Sequence, residues 1–134
     1  MSAVKQASCS CGALRVSCSG EPVRISMCHC IACQRRTGAP FGAQSRFLRS
    51  QITVEGESRR YTRVADSGNT VTFHFCPTCG STVFWELSGF PDLIAVATGM
   101  FGDPSFPAPR IAVYEASQHP WTQHIAGHPM EHNS

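Results

Sequence analysis

The chain has 134 residues and a formal net charge of +2 at pH 7, and only 15% of its residues are charged. This length fits one compact domain, and the near-neutral balance gives no electrostatic reason to expect a nucleic-acid or membrane-surface partner. The composition also excludes collagen-like, coiled-coil and membrane-spanning proteins.

Short strands dominate the predicted secondary structure. Segments that alternate polar and apolar residues, or that are rich in β-branched and aromatic residues, are 14–18, 23–27, 51–55, 70–75, 82–87, 93–97 and 111–114. One short helix is expected over 32–37, because Gly38 is a stop signal. We therefore predict an all-β domain over residues 1–122, followed by a mobile tail, 123–134, that has few core candidates.

The expected cellular compartment is inferred from the lack of a recognisable targeting signal in the sequence. The start of the sequence has no apolar run long enough for a signal-peptide core, and no segment approaches the ~20 apolar residues that span a bilayer. We therefore expect a cytoplasmic protein. In that reducing compartment, clustered cysteines indicate metal binding or catalysis more often than disulfides.

The eight cysteines form three clusters and one lone residue, Cys18. Cys76 and Cys79 have the spacing of a zinc knuckle, in which a tight turn brings two thiolates to one ion. A structural zinc needs four protein ligands, so a second pair must come from elsewhere. Cys9 and Cys11 are the natural donors, because residues i and i+2 of an extended strand face the same side.

The middle cluster contains Cys28, Cys30 and Cys33, which can bind one ion and leave one position of a tetrahedron open. Three protein ligands with an open position are typical of catalytic zinc. Spacing alone leaves other arrangements open. Cys28 and Cys33 could join the knuckle pair, or every cluster could be structural, with Cys18 or His29 as the eighth ligand.

These cysteine motifs resemble those of the glutathione-dependent formaldehyde-activating enzyme family, which also contains centromere protein V. The order and spacing of seven cysteines carry the resemblance, which covers about residues 6–122. Further matching positions are Gly38, Phe41, the strand end at 97–99, and Trp121.

The resemblance implies a β-tent zinc fold of small, mostly antiparallel sheets with two zinc ions per chain. It implies a structural zinc held by Cys9, Cys11, Cys76 and Cys79, and a catalytic zinc held by Cys28, Cys30 and Cys33. The implied activity is that of a carbon–sulfur lyase. Its partners would be a small aldehyde, formaldehyde, and a small thiol, glutathione, which give S-hydroxymethylglutathione. Cys18 lies outside the pattern and is expected to be a buried apolar side chain.

The chemistry of three thiolates fits a thiol substrate. Their charge of −3 and the +2 of zinc sum to −1, so the metal is a weaker Lewis acid than a histidine-ligated zinc and activates water less. Soft ligands suit a soft partner, and a substrate thiolate in the open position fits this site.

Charged neighbours of the clusters are candidates for supporting roles. One guanidinium of Arg35 and Arg36 could bind a substrate carboxylate or offset the negative charge of the site. At least one of the two is expected to be solvated, because adjacent helical residues point apart. His29 is expected to point away from the metal, since it stands between two ligands. His74 is expected on the strand face opposite its phenylalanine neighbours.

The aromatic residues and the histidines of the tail are expected to have no part in a functional site. We expect core rather than pocket positions for Phe41, Phe47, Phe84 and Trp85. Three histidines spaced four apart in the tail do not predict a metal-binding helix, because Gly127 and Pro129 would break it.

Two functions other than a lyase remain open at this point. One is a non-catalytic, zinc-stabilised binding module, and the other is a thiol redox protein in which the middle cysteines pair as disulfides. A fourth protein ligand at the middle cluster would favour the binding module.

Overall fold

The computed structural model describes residues 3–124 and 130–134. The chain folds into two compact units. The first unit is formed by Met1–Val23 and Ser45–Phe106, and the second by Arg24–Gln44 and Pro107–Ser134. Strands make up most of the regular structure, which confirms the predicted all-β fold class.

The strands have the following bounds. In chain order they are β1 (Val4–Ser8), β2 (Arg15–Ser19), β3 (Arg24–Cys28), β4 (Gly42–Leu48), β5 (Ile52–Glu55), β6 (Arg59–Val64), β7 (Thr70–Phe75), β8 (Thr82–Leu87), β9 (Leu93–Ala97), β10 (Ile111–Val113) and β11 (Glu131–His132). One α-helix, α1 (Ile31–Thr37), follows β3. Short 3-10 helices occupy Arg49–Gln51, Thr98–Phe101, Glu115–Ser117 and Pro120–His124.

The first unit consists of antiparallel strands. One sheet has the order β1-β2-β5. A second run, β6 to β9, is a meander in which each strand pairs with the next. Strands β7, β8 and β9 of this run were predicted at the bounds that the structure shows, because they carry the densest β-branched and aromatic residues.

Apolar side chains from both sheets form the core of the first unit. Its buried members are Ala7, Cys9, Leu14, Val16, Cys18, Phe47, Cys76, Val83, Phe84, Ile94 and Val96. Cys18 has no exposed surface, which confirms its predicted role as an apolar core residue. Burial raises the pKa of its thiol to about 12, so it stays protonated and unreactive.

The second unit pairs its strands in parallel. Strand β10 lies beside β3 on one side and β11 on the other. Helix α1 begins after its N-cap residue Cys30 and ends at Gly38, as the sequence predicts. Strand β4 begins in this unit and continues into the first.

The predicted tail is described only in part. Residues 125–129, which include His128, Gly127 and Pro129, lie outside the described residues, while Glu131 and His132 form β11. Its mobility stays a prediction. Among residues 3–124 and 130–134, no helix combines the length and apolar character that crossing a bilayer requires.

Candidate metal centres

Cys9 and Cys11 lie in a tight turn in the first unit. Strand β1 ends at Ser8, so the expectation that both cysteines sit on an extended strand is wrong. The Gly12 N–H donates to the Cys9 carbonyl at 3.1 Å, and Gly12 adopts φ +83°, a left-handed conformation that glycine accepts without strain. The turn, rather than strand alternation, brings the two sulfurs together.

Cys76 and Cys79 form the predicted knuckle directly after β7. The Gly80 N–H donates to the Cys76 carbonyl at 2.8 Å, with Gly80 at φ +78°. The Cys76 N–H donates in turn to the Ser81 carbonyl at 3.0 Å. These bonds close the loop around the two thiols before β8 begins.

The four sulfurs of these two turns converge. Cys9 Sγ lies 3.6 Å from Cys11 Sγ, and Cys11 Sγ lies 3.7 Å from Cys76 Sγ. All four Sγ atoms, including that of Cys79, lie within 4.8 Å of one another. Four sulfurs at 2.3 Å from a tetrahedral zinc would be about 3.8 Å apart, so this cluster has the size of a zinc site.

Backbone and hydroxyl donors point at the same sulfurs. The Leu14 N–H donates to Cys9 Sγ at 3.2 Å, and the Thr78 N–H donates to Cys76 Sγ at 3.4 Å. Hydrogen bonding with the side chain and the backbone of Ser81 lowers the pKa of Cys79 to about 5. Such donors favour the thiolate, which is the form that binds metal.

The second cluster lies where β3 meets α1 in the second unit. Cys28 is the last residue of β3, Cys30 is the N-cap of α1, and Cys33 lies in its first turn. The Cys33 N–H donates to Cys30 Sγ at 3.3 Å. Capping the helix therefore fixes one sulfur of the cluster against the backbone of another ligand candidate.

The three sulfurs of this second cluster lie close together. The Sγ atoms of Cys28, Cys30 and Cys33 lie within 4.8 Å of one another. In the part of the chain that the structure describes, no further cysteine, histidine or acidic residue joins them at that distance. The three sulfurs can therefore hold a metal ion and leave a coordination position open.

In the second cluster, the three thiols lie so close together that their ionisation is unfavourable unless a cation is bound. Hydrogen bonds with Cys30 and Cys33, together with burial, raise the pKa of Cys28. The pKa of Cys33 is also raised, by its contact with Cys30 and by burial, although its hydrogen bond with Cys28 acts in the opposite direction. A bound cation would offset the repulsion among three negative sulfurs.

Arg36 acts electrostatically on this cluster. Its positive charge lowers the pKa of Cys33, against the net trend. A methyl group added at Gly42 would come 2.8 Å from Arg36 Nη2 and 3.5 Å from Cys33 Cβ, so the three residues pack together. Arg35 is exposed, as expected for one of the two arginines.

His29 lines a separate cavity. This cavity has a volume of about 560 Å³, and its described lining includes Met27, His29, Ala112 and Glu115 but no cysteine. Side chains alternate along the end of β3, so Met27 and His29 face away from Cys28. His29 is 2% exposed, and burial lowers its pKa, so the ring is held in the neutral form.

His74 lies in the first unit on the strand face opposite Phe73, as predicted. Its ring stacks on Phe84 with centroids 4.4 Å apart. Its Nδ1 lies 3.3 Å from Ser58 Oγ, and its Nε2 lies 3.4 Å from Glu86 Oε1. These contacts show that the His74 side chain packs within the sheet.

The four aromatic residues divide between core and surface. Phe47, Phe84 and Trp85 are buried, which confirms their predicted core positions. Phe41 is partly exposed and belongs to neither buried core cluster, so its predicted core position is wrong; its ring centroid lies 5.9 Å from that of His29.

Comparison with known proteins identifies the family. The sequence profile described as glutathione-dependent formaldehyde-activating enzyme matches residues 4–117. No curated protein matches the chain. The crystal structure of a Rhodobacter sphaeroides protein has a TM-score of 0.59 at 16% identity, covering 96% of this chain and 99% of that one; it shares the fold. The profile match spans most of the sequence, and the chain therefore belongs to the glutathione-dependent formaldehyde-activating enzyme family.

Proposed function

We propose that this protein is a zinc-dependent carbon–sulfur lyase that joins formaldehyde and glutathione to give S-hydroxymethylglutathione. One observation supports it above all. The chain has a complete four-sulfur cluster and, separately, a three-sulfur cluster without a fourth described ligand. Membership of the family supports glutathione as the thiol and formaldehyde as the aldehyde.

The two clusters fit two different roles. Cys9, Cys11, Cys76 and Cys79 would hold a structural zinc, since four sulfurs complete a tetrahedron. Cys28, Cys30 and Cys33 would hold the catalytic zinc, which supplies a soft electrophilic centre for a substrate thiolate when it is bound. A reducing cytoplasm, which the sequence predicts, would keep all seven thiols available.

The reaction balances without an oxidant or a reductant. The glutathione sulfur forms a bond to the aldehyde carbon, and the carbonyl π electrons move to the oxygen. The thiol proton ends on that oxygen as the hydroxyl of the hydroxymethyl group. The protein's contribution would be to hold the three sulfurs that bind the metal ion and, through Arg36, to bind a carboxylate of glutathione.

Cobalt substitution tests this proposal directly. Co²⁺ bound by three thiolates absorbs through sulfur-to-metal charge transfer, and a fourth thiolate would intensify these bands. We expect glutathione to change the spectrum saturably, and S-methylglutathione, which has no free thiol, to leave it unchanged. In parallel, carbon-13 exchange spectroscopy should show faster exchange between formaldehyde and its glutathione adduct. A spectrum insensitive to glutathione together with an unchanged exchange rate would reject the lyase in favour of the binding module.

Arg36 should contribute to glutathione binding. We expect Arg36→Gln to raise the KM for glutathione roughly ten- to a hundredfold, because a charge-assisted hydrogen bond to a substrate carboxylate is lost. Arg35→Gln is the matched control and should change KM within about twofold, since Arg35 is exposed.

A thiol without carboxylates separates this role from a structural one. With 2-mercaptoethanol as the thiol, both arginine variants should behave like the unsubstituted protein. An equal loss with 2-mercaptoethanol and glutathione would contradict carboxylate recognition by Arg36.

A further inference from the structure

The side chain of Gln34 makes three hydrogen bonds beside the three-cysteine cluster. Its Nε2 donates to the His29 carbonyl at 2.9 Å and to the Ser117 carbonyl at 3.0 Å. Its Oε1 lies 3.0 Å from His119 Nε2 and accepts from that ring nitrogen, since an amide oxygen can only accept. Both amide hydrogens and the amide oxygen of one partly buried side chain are therefore engaged.

The first of these bonds spans the cluster itself. The His29 carbonyl belongs to the peptide that joins His29 to Cys30, and Gln34 directly follows Cys33. The side chain therefore ties the extended arm that carries Cys28 and Cys30 to the helix that carries Cys33. The backbone adds a parallel link, because the Gln34 N–H donates to the Cys30 carbonyl at 3.0 Å.

The other two bonds reach a distant part of the sequence. Ser117 ends the 3-10 helix Glu115–Ser117, and His119 follows it. These residues lie 83 and 85 positions from Gln34. Glu115 and Gln118 of the same segment line the cavity that contains His29.

We propose that Gln34 is a positioning residue of the three-cysteine site, which holds its sulfurs in place and couples metal binding there to segment 115–119. Its amide atoms bond to His29, Ser117 and His119, so it would act on the cluster through the His29 carbonyl and α1. Three flexible thiols that are already gathered lose less conformational freedom when an ion binds. This inference rests on the proposed function only in that the cluster binds a metal ion.

The chain offers a matched control in Gln51. Its Nε2 donates to the Ser19 carbonyl at 2.7 Å and to the Glu21 carbonyl at 2.9 Å, and its Oε1 accepts from the Leu48 N–H at 2.7 Å. Gln51 thus has three similar hydrogen bonds, all within the first unit and none to the segment or the helix that carries the three cysteines. Methionine replaces either glutamine at similar length without hydrogen bonds.

Cobalt titration of Gln34→Met and Gln51→Met tests the proposal. The spectrum of the second site is obtained by difference from Cys30→Ser. We expect Gln34→Met to weaken Co²⁺ binding at that site by roughly ten- to a hundredfold and to alter its d–d bands, as loss of an outer hydrogen bond to a metal site does. Gln51→Met should retain both the affinity and the bands. Similar Co²⁺ affinities in the two variants would overturn the proposal.

Hydrogen exchange measures the coupling in a way that a general loss of stability would not imitate. Metal loading should slow amide exchange in segment 115–119 of the unsubstituted protein and of Gln51→Met, but not of Gln34→Met. If Gln34→Met does not fold, Gln34→Glu serves instead, because it keeps an oxygen facing His119 and loses both donated bonds. Metal-induced protection that persists without those bonds would overturn the coupling.

Failure of this proposal is distinguishable from failure of the proposed function. Cobalt that binds the second site but ignores glutathione would overturn the lyase and leave the role of Gln34 standing. No cobalt at the second site of the unsubstituted protein would overturn both.

Discussion

Replacing Cys76 by serine should release one zinc ion per chain and lower the free energy of unfolding by on the order of 5 kcal/mol, because metal binding at a structural site is folding free energy. Cys76 is fully buried in the core of the first unit, and its sulfur meets that of Cys11 across 65 residues of sequence. Closing so long a loop removes much conformational entropy from the unfolded chain. Chemical denaturation combined with metal analysis measures both effects.

Cys18 provides the control for that variant. It is a fully buried cysteine of the same core, but it belongs to neither cluster. Cys18→Ala should keep both metal ions and lose only about 1–2 kcal/mol through the cavity that it leaves. A Cys76→Ser protein that is no less stable than Cys18→Ala would contradict a structural metal at the first cluster.

Replacing Cys30 by serine should reduce activity strongly and stability only slightly. We expect it to lose the metal of the second cluster and to reduce lyase activity by at least about a hundredfold, since two sulfurs hold zinc poorly. The free energy of unfolding should fall by less than about 1 kcal/mol, because the three cysteines lie within six residues and close only a short loop. Exchange spectroscopy and denaturation with the same preparation measure both.

The division into structural and catalytic clusters depends on this contrast. If Cys30→Ser and Cys76→Ser lost equal stability, the two clusters would not differ in role. Full activity in Cys30→Ser would place the chemistry elsewhere in the protein.

Much of the fold follows from local sequence. Strands β7, β8 and β9 match their predicted bounds, because alternation and aromatic content coincide there. Strands β1 and β6 were not predicted. Strand β1 contains Lys5, Gln6 and Ala7, which have low strand propensity, and it is stabilised by pairing with β2. Nearly all of β6 is exposed. Its sequence therefore lacks the alternation of buried apolar and exposed polar residues by which a strand is recognised.

Strand β4 escaped prediction for a different reason. It buries Gly42, Gln44 and Ser45, which are poor strand signals. Two of these have polar side chains that are satisfied by residues distant in sequence. Gln44 donates to Ser26 Oγ at 3.1 Å, and Ser45 Oγ lies 2.9 Å from Thr98 Oγ1. No sequence pattern reveals such partners in advance.

The candidate site was predictable in composition and less so in its surroundings. Spacing and resemblance predicted which sulfurs lie together, and the structure groups them in the same way. The turn geometry of Cys9 and Cys11 was not predicted, because a short cysteine pair fits either a strand or a turn. The contacts of Gln34 with Ser117 and His119 depend on tertiary folding and left no signal in the sequence.

The number of zinc ions per chain shows whether the protein has two metal sites of different kinds. The protein should be purified anaerobically with a reductant and analysed by atomic emission. We expect two zinc ions in the unsubstituted protein and one in each of Cys76→Ser and Cys30→Ser. One zinc in the unsubstituted protein, unchanged in Cys30→Ser, would show that the three-cysteine cluster holds no metal and would contradict the account.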